Sequence, residues 1–293
     1  MNFTHKITYH FLSFISNLVT KLSLRTQIII SQHIASVLYY YIPKRKNVAI
    51  KNIKTAFPEC SDLWIANTLK NCYKFFAYNF IQFLALPKST DSIKIQINGQ
   101  TALDNAIEQE KGVILISSHF GPWEILGHWL GVNNYQLRGV AHKQKNKGAN
   151  RFFEEKRQLS GIKHIYRKVG MDVFYNILKK KKILGLVSVQ DAKNKGIFIN
   201  FFNKPASTHK GAAIFHLNTN APMIYGICIQ TGFQEYKIEL IPITSVKNTI
   251  EDIIQEYTLT LERIIQKYPE QYFWFHNRWK TTRSNETENI KLE

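Results

Sequence analysis

The chain has 293 residues, 44% of them hydrophobic, and 39 Lys and Arg against 21 Asp and Glu give it a formal net charge of +18. Length and composition are those of a folded protein with a large core in one domain or slightly more, and they exclude a disordered chain. The charge predicts a polyanionic partner, whether an anionic membrane face, nucleic acid or an acidic protein, and three scattered cysteines without a C-x-x-C argue for a reducing compartment and against a zinc site.

The chain opens with two rather apolar helical stretches, 7–24 and 26–43, closed by the basic cluster Lys44-Arg45-Lys46. Each carries polar side chains and neither reaches the roughly 20 apolar residues of a spanning helix. Residues 1–45 therefore read as an interfacial, membrane-associating segment, the alternative being that both helices pack on the catalytic domain. No apolar core followed by a small-residue cleavage site marks a signal peptide. Aromatic residues, 13% of the chain, interleave with the cations, which suits a membrane interface and equally a single-stranded nucleic acid.

Past this segment helices and strands alternate. An aromatic-rich amphipathic helix is predicted over 61–84, a strand over 93–99, a helix near 101–109, a strand over 113–116 and a helix beginning at Pro122. A strand near 136–141, helix 150–159, strand 163–167, helix 169–180 and strand 183–189 follow. Then come strand 196–202, helix 208–219, strands 222–230 and 236–243, and a helix over 249–268 with a clear apolar stripe. This order predicts an α/β fold, a largely parallel central sheet flanked by helices, with ligand chemistry at the carboxyl ends of strands. The catalytic domain spans 46–283, and residues 284–293 read as a polar, solvated tail.

Within "ILISSHFGPWEILGHWL", 114–130, His119 falls in the strand-to-helix turn. Glu124 lies in the first helical turn, where a carboxylate suits the positive end of the dipole. Five residues along a continuous helix would put the two on different faces, but from a turn the imidazole can fold back to meet the carboxylate. A carboxylate on one ring nitrogen fixes the tautomer and leaves the other as a base. By itself the pair reads as well as a helix cap beside a satisfied turn histidine.

Other motifs are lacking: there is no G-x-S-x-G, G-x-x-x-x-G-K-[ST], G-x-G-x-x-G or H-E-x-x-H. His209 and His216 have no carboxylate or cysteine spaced to join them as metal ligands. The lysine run in "LKKKKIL", 178–184, reads as a solvated helix end.

"SSHFGPWE" resembles the H-x-x-x-x-[DE] block of the glycerolipid and lysophospholipid acyltransferase superfamily, in the G-H-x-G-x-W-E form of the bacterial late lipid A acyltransferases. In the same order, "NIKTAFPE" at 52–59 is similar to N-L-x-x-x-F-P-E, and "NRFFEEKRQLSG" to a helix ending in R-x-x-x-G. "QDAKNKGIFINFFNKPASTHKG" resembles D-Q-D…G-x-F-V-x-F-F-G-x-P-A-x-T, and "YPEQYFWFHNRWKTTR" resembles the closing P-E-x-W-x-W-x-H-x-R-W-K-T-R. Together these cover 45–283, and their joint order is far more specific than the bare motif. Two positions depart, Val189 for the first acid of D-Q-D and Asn203 for the glycine after the double phenylalanine, where substrate is expected to be held.

The resemblance implies transfer of a fatty acyl chain from an acyl thioester to a hydroxyl of a lipid A precursor. His119 is then the general base, oriented by Glu124. Backbone amides at the start of the 122–132 helix would stabilise the oxyanion. Gly121, Arg157 and Asp191 would hold substrate, Arg157 a phosphate or the oxyanion and Asp191 a sugar hydroxyl or basic group. Arg278 and Lys280 would meet donor or headgroup phosphates. No cofactor or metal is implied, since acyl carrier protein or acyl-CoA brings the thioester as co-substrate. Acidic acyl carrier protein complements the +18 charge. Anionic membrane lipids and the lipid acceptor complete the partners, with no nucleic acid, and the location implied is the cytoplasmic face of the inner membrane. Two alternatives stand beside this: another acceptor, such as an aminolipid or lysophospholipid, and a non-catalytic basic membrane-binding protein of the same fold.

Overall fold

The computed structural model describes residues 2–87, 92–244 and 249–282; the tail at 284–293 lies outside the described residues. Four helices lead the chain: α1 Phe3–Val19, α2 Leu24–Tyr41, α3 Pro43–Ala56 and α4 Asp62–Ala85. The sequence reading anticipated α1, α2 and α4 but took 44–46 as a closing basic cluster. Those residues instead lie in the first turn of α3, which opens on Pro43 at a position where a missing N–H costs no hydrogen bond. Ser61 caps α4 by accepting from the Trp64 amide.

The α/β body follows as β1 Lys94–Asn98, α5 Gln100–Glu108, β2 Val113–Ser117, α6 Trp123–Val132, β3 Leu137–Ala141, α7 Lys147–Leu159, β4 Lys163–Tyr166, α8 Met171–Lys179, β5 Ile183–Val187, β6 Ile197–Phe201, β7 Lys204–Thr208, α9 Gly211–Thr219, β8 Met223–Gly232, β9 Glu235–Ile243 and α10 Ile250–Lys267. Seven strands form one sheet in the order β1-β9-β8-β2-β5-β3-β4. From β8 to β4 neighbours pair in parallel; β9 runs antiparallel to β8 and parallel to β1. The mostly parallel sheet flanked by helices is thus present. The strand foreseen over 196–202 does not join it. It pairs instead with β7, most of which falls in the stretch the sequence reading left unassigned before the helix at 208, in an antiparallel hairpin.

Strand β2 lies inside the sheet and all five of its residues are buried, as a continuous apolar run requires where both faces are covered. One core layer, with Ile114, Ile116, Tyr225 and Tyr257, lies on one face; the other, with Leu115, Leu126, Leu130 and Ile183, lies on the opposite face under α6. The N-terminal helices pack on this body. Helix α2 buries Gln27, Ser31 and Ala35, and Gln82 of α4 donates to Gln27 Oε1 at 2.7 Å. Helix α1 lies on α7, where a Cβ at Gly148 would overlap the His5 carbonyl, and Tyr9 donates to Glu155 at 2.7 Å. Their outward residues form an apolar stripe: Phe3, Ile7, Phe11, Phe14 and Leu18 on α1, with Ile29, Val37, Tyr40 and Tyr41 on α2, are all exposed. No described helix is long and apolar enough to cross a membrane.

Candidate active site

After β2 the chain turns through Ser118, His119, Phe120, Gly121 and Pro122 into α6, and the residues that close the chain hold this turn. Phe273 N donates to His119 O at 3.0 Å and Gly121 N to Gln271 O at 2.8 Å. The buried Gln271 amide in turn bonds both the N and O of Gln230 in β8, at 3.0 and 2.8 Å. Gly121 adopts φ +62°, and a Cβ there would overlap the Cys228 carbonyl, so the turn demands glycine. Gly121 also borders the cavity described below. Upstream, Asn52 donates to the carbonyls of Trp274 and His276 at 2.7 and 2.6 Å, fixing the closing segment that fixes the turn.

The half-buried His119 ring sits edge-on to Trp123, centroids 5.4 Å apart, and 6.3 Å from Phe273. Burial and the nearby His276 lower its pKa to about 4, with Glu124 pulling the other way. The imidazole is therefore neutral near pH 7. The expected hydrogen bond of this ring to the Glu124 carboxylate is not formed, and Nδ1 of His119 is buried without a partner among the described residues. The Glu124 carboxylate goes to Arg157 instead, which donates from Nε at 3.1 and 3.0 Å and from Nη2 at 2.6 Å. Trp123 Nε1 adds a bond to Glu124 Oε1 at 3.2 Å. The planar guanidinium fork matches a carboxylate, and this contact outcompetes a single imidazole nitrogen. Burial works against the Arg157 charge, but Glu124 holds its pKa above the usual value.

The packing of α6 on α7 creates that pair. Asn146 caps α7 by accepting from the amides of Gly148 and Ala149. The helix ends at Gly161, φ +80°, whose Cα backs onto Gly131 of α6, and His128 meets Ser160 at 2.9 Å. The close glycine crossing brings the last turn of α7, with Arg157, over the first turn of α6, with Glu124. Pro122 has no N–H and Gly121 N is engaged by Gln271. The start of α6 therefore presents the amides of Trp123 and Glu124, which have no partner within the helix.

A cavity of about 330 Å³ opens beside these groups. Phe76, Phe80, Phe83, Leu86, Ile125 and Phe153 line it, together with Gly121, Trp123, Glu124, Arg157 and Phe273. Trp123 and Phe273 stand between its space and His119.

The remaining candidates lie elsewhere. Arg278 is 1% exposed and donates to Ser207 O at 2.7 Å and to Thr208 Oγ1 at 2.5 Å, with its guanidinium over the Phe201 ring. These bonds tie the closing segment to the β6–β7 hairpin. Lys280 points outward and is exposed. Asp191 bridges to Thr208 and accepts from Thr281 Oγ1 at 3.1 Å; it belongs to this second cluster with Arg278, beyond His276 from His119. The two departures from the resembled motifs also move. Asn203 is exposed at the tip of the β6–β7 turn with φ +55°, a conformation asparagine tolerates best after glycine. Val189 is buried at φ +70°, an uncommon conformation for a β-branched residue. Among the described residues His209 and His216 join no ligand set, and His216 Nδ1 lies 2.8 Å from the Ala221 carbonyl.

Sequence reasoning gave no role to His276, whose charge acts on His119, to Gln271, or to His164, 3.5 Å from Arg157. His276 and Gln271 stood inside the closing motif, so the motif was visible and the contacts were not.

Comparison with known proteins places this geometry in context. The pattern of the bacterial lipid A biosynthesis acyltransferase family matches residues 2–281. The lipid A biosynthesis palmitoleoyltransferase of Escherichia coli (strain K12) is 22% identical over 255 residues, covering 82% of this chain and 80% of that protein. The lipid A biosynthesis acyltransferase of Shigella flexneri is similar to the same extent.

Proposed function

Because the chain belongs to the bacterial lipid A biosynthesis acyltransferase family and is an acyltransferase, we propose that it moves a fatty acyl chain from an acyl thioester to a hydroxyl of a lipid A precursor. The observation that carries the mechanism is a half-buried imidazole at the carboxyl end of the central strand, packed on Trp123 and Phe273, which line an apolar cavity. An alcohol is a weak nucleophile until a positioned base takes its proton during attack, and His119 is that base. The thioester carbonyl becomes an oxyanion, for which the amides of Trp123 and Glu124 are the nearest unengaged donors. The oxyanion collapses, expels the thiolate and leaves the ester on the acceptor, while the proton on His119 passes to the departing sulfur. The phenylalanine-lined cavity suits the methylene chain by size and character.

Acyl carrier protein is the donor in this reading, its acidic surface complementing the net +18, and acyl-CoA is the alternative carrier. The thioester is a co-substrate, so the chemistry asks for no resident cofactor. The exposed stripe of α1 and α2 suits a lipid surface and the basic residues suit anionic headgroups, and the face in this reading is the cytoplasmic one, where thioester donors are made. The test is transfer of a labelled acyl group from acyl carrier protein to a lipid A precursor, with an aminolipid and a lysophospholipid as competing acceptors. Loss of transfer in His119→Ala supports the reading, and undiminished transfer ends it.

A further inference from the structure

Among the described residues His119 keeps a buried ring nitrogen without a partner, while the nearby carboxylate that would satisfy it accepts three hydrogen bonds from Arg157. We propose that Arg157 is a substrate-sensing clamp: an incoming phosphate ester takes its guanidinium, and the released Glu124 carboxylate turns to Nδ1 of His119, so that the base is completed only when substrate is in place. This rests on the general-base reading of His119 given above.

Four observations support the exchange. Arg157 and Glu124 both border the cavity and keep 28% and 19% of their side chains exposed, so an anion entering there reaches the guanidinium. A guanidinium fork grips a phosphate as readily as a carboxylate, so the ligand can substitute for Glu124 without leaving Arg157 unpaired. Glu124 sits at the second position of α6, on the same turn as His119, and its charge already acts on that ring. In the clamped arrangement the imidazole is a poor base, held down by burial and by His276, which itself faces Asp191, Arg278 and Arg45; His164 stands behind Arg157. Once Glu124 is released, Nδ1–H donates to it and Nε2 accepts the proton of the acceptor hydroxyl. The positive charge that then forms on the ring lies against a free carboxylate instead of a neutralised one.

Two sources can supply the phosphate: the phosphopantetheine arm of the thioester donor and the phosphorylated headgroup of the acceptor. Nuclear magnetic resonance of the full-length chain with ¹⁵N-labelled histidine, His119 being assigned through His119→Gln, distinguishes them. The probes are inorganic phosphate, 4′-phosphopantetheine and glucosamine 1-phosphate. A phosphate that opens the clamp produces a downfield, hydrogen-bonded Nδ1–H resonance at His119 and raises its titration midpoint by about one unit or more, a tenfold change in proton affinity. Phosphopantetheine acting alone assigns the trigger to the donor; glucosamine 1-phosphate acting alone assigns it to the acceptor. Arg157→Met produces both signals without ligand, and Arg157→Lys, which keeps a charge but loses the fork, produces them in part.

Removing a cation raises a neighbouring histidine midpoint by itself, so Arg157→Met/Glu124→Gln is the control. In that double variant the Nδ1–H resonance is absent. Its persistence there, or its absence from both Arg157→Met and every ligand-bound sample, overturns the clamp. Turnover of His119→Ala is measured separately, so an unmoved resonance with turnover lost removes the clamp and leaves the base.

Discussion

Glu124 is bound by Arg157 through three hydrogen bonds of 2.6 to 3.1 Å, while the ring of His119 shares no hydrogen bond with it. In the proposed mechanism base and carboxylate act as one unit, the carboxylate offsetting the imidazolium that forms in the transition state. His119→Ala is expected to lower turnover by about 10² to 10⁴-fold, the usual loss of a general base. Glu124→Gln keeps the size but loses the charge, and is expected to fall severely as well. The double variant should be little slower than His119→Ala, because residues that act together are not additive. Single-turnover transfer of labelled acyl chain measures all three, and a double variant slower by the product of the two losses would show that they act separately.

Much of this site could be read from the chain because its parts are local. The buried run at 113–116, the polar break and the helix restart fix a strand, a turn and a helix, so His119 falls at a strand end whatever the rest does. The Arg157–Glu124 pair could not be read that way. It depends on the crossing of α6 over α7 at Gly131 and Gly161, a contact between segments about thirty residues apart with no periodic signature. The setting of Arg278 was hidden for a related reason: the closing motif names the residue, and only the fold shows it buried and satisfying the hairpin at Ser207 and Thr208. The strand β7 was missed because Lys204-Pro-Ala-Ser-Thr has neither an apolar run nor clean alternation, being held by its partner β6.

Acid should destabilise the fold well before carboxylates titrate. His119 has a folded pKa of about 4 against an ordinary 6.5, chiefly through burial, and burial also lowers His128, His164, His209 and His276. A depressed pKa means that the unfolded chain binds the proton first. The stability from neutral His119 is therefore present above pH 6.5 and lost progressively as pH falls toward 4. Denaturant midpoints should decline from pH 7 to pH 5, and His119→Gln should flatten that decline. An unchanged slope in the variant would assign the acid sensitivity to the other four histidines.

Arg278 and Lys280 should behave oppositely although they are two residues apart. Arg278→Met removes donors from a buried carbonyl and a buried hydroxyl, and is expected to cost about 2 to 4 kcal/mol of stability. Lys280→Ala changes an exposed side chain and should leave the denaturant midpoint within about 0.5 kcal/mol. Chemical denaturation of both reads this directly. A stable Arg278→Met with weakened donor binding would restore a phosphate contact for that residue.

Residues 1–45 should be separable in their membrane role but not in their fold. The sequence reading sets them apart from the domain at 46–283 as an interfacial segment, yet Gln27 of α2 accepts a hydrogen bond from Gln82 beside the cavity and α1 lies on the helix that carries Arg157. Deleting α1 and α2 would therefore bare the α4 and α7 surfaces and lower stability, and weakened membrane association in such a truncation would say little. Substituting outward residues is the sharper test. Phe11 and Phe14 are 60% and 65% exposed and contribute little to the core. Each phenylalanine moved from water into an apolar phase is worth about 1.5 to 3 kcal/mol, so Phe11→Ser with Phe14→Ser should weaken binding to anionic phospholipid vesicles at least tenfold. The thermal midpoint should stay within a degree or two, because neither ring supports α7 or α4. Added salt should weaken the remaining binding further, since the charge contribution is screened while the apolar one is not. Vesicle sedimentation beside thermal unfolding separates the outcomes: undiminished sedimentation of the double variant would remove α1 from the membrane-binding face.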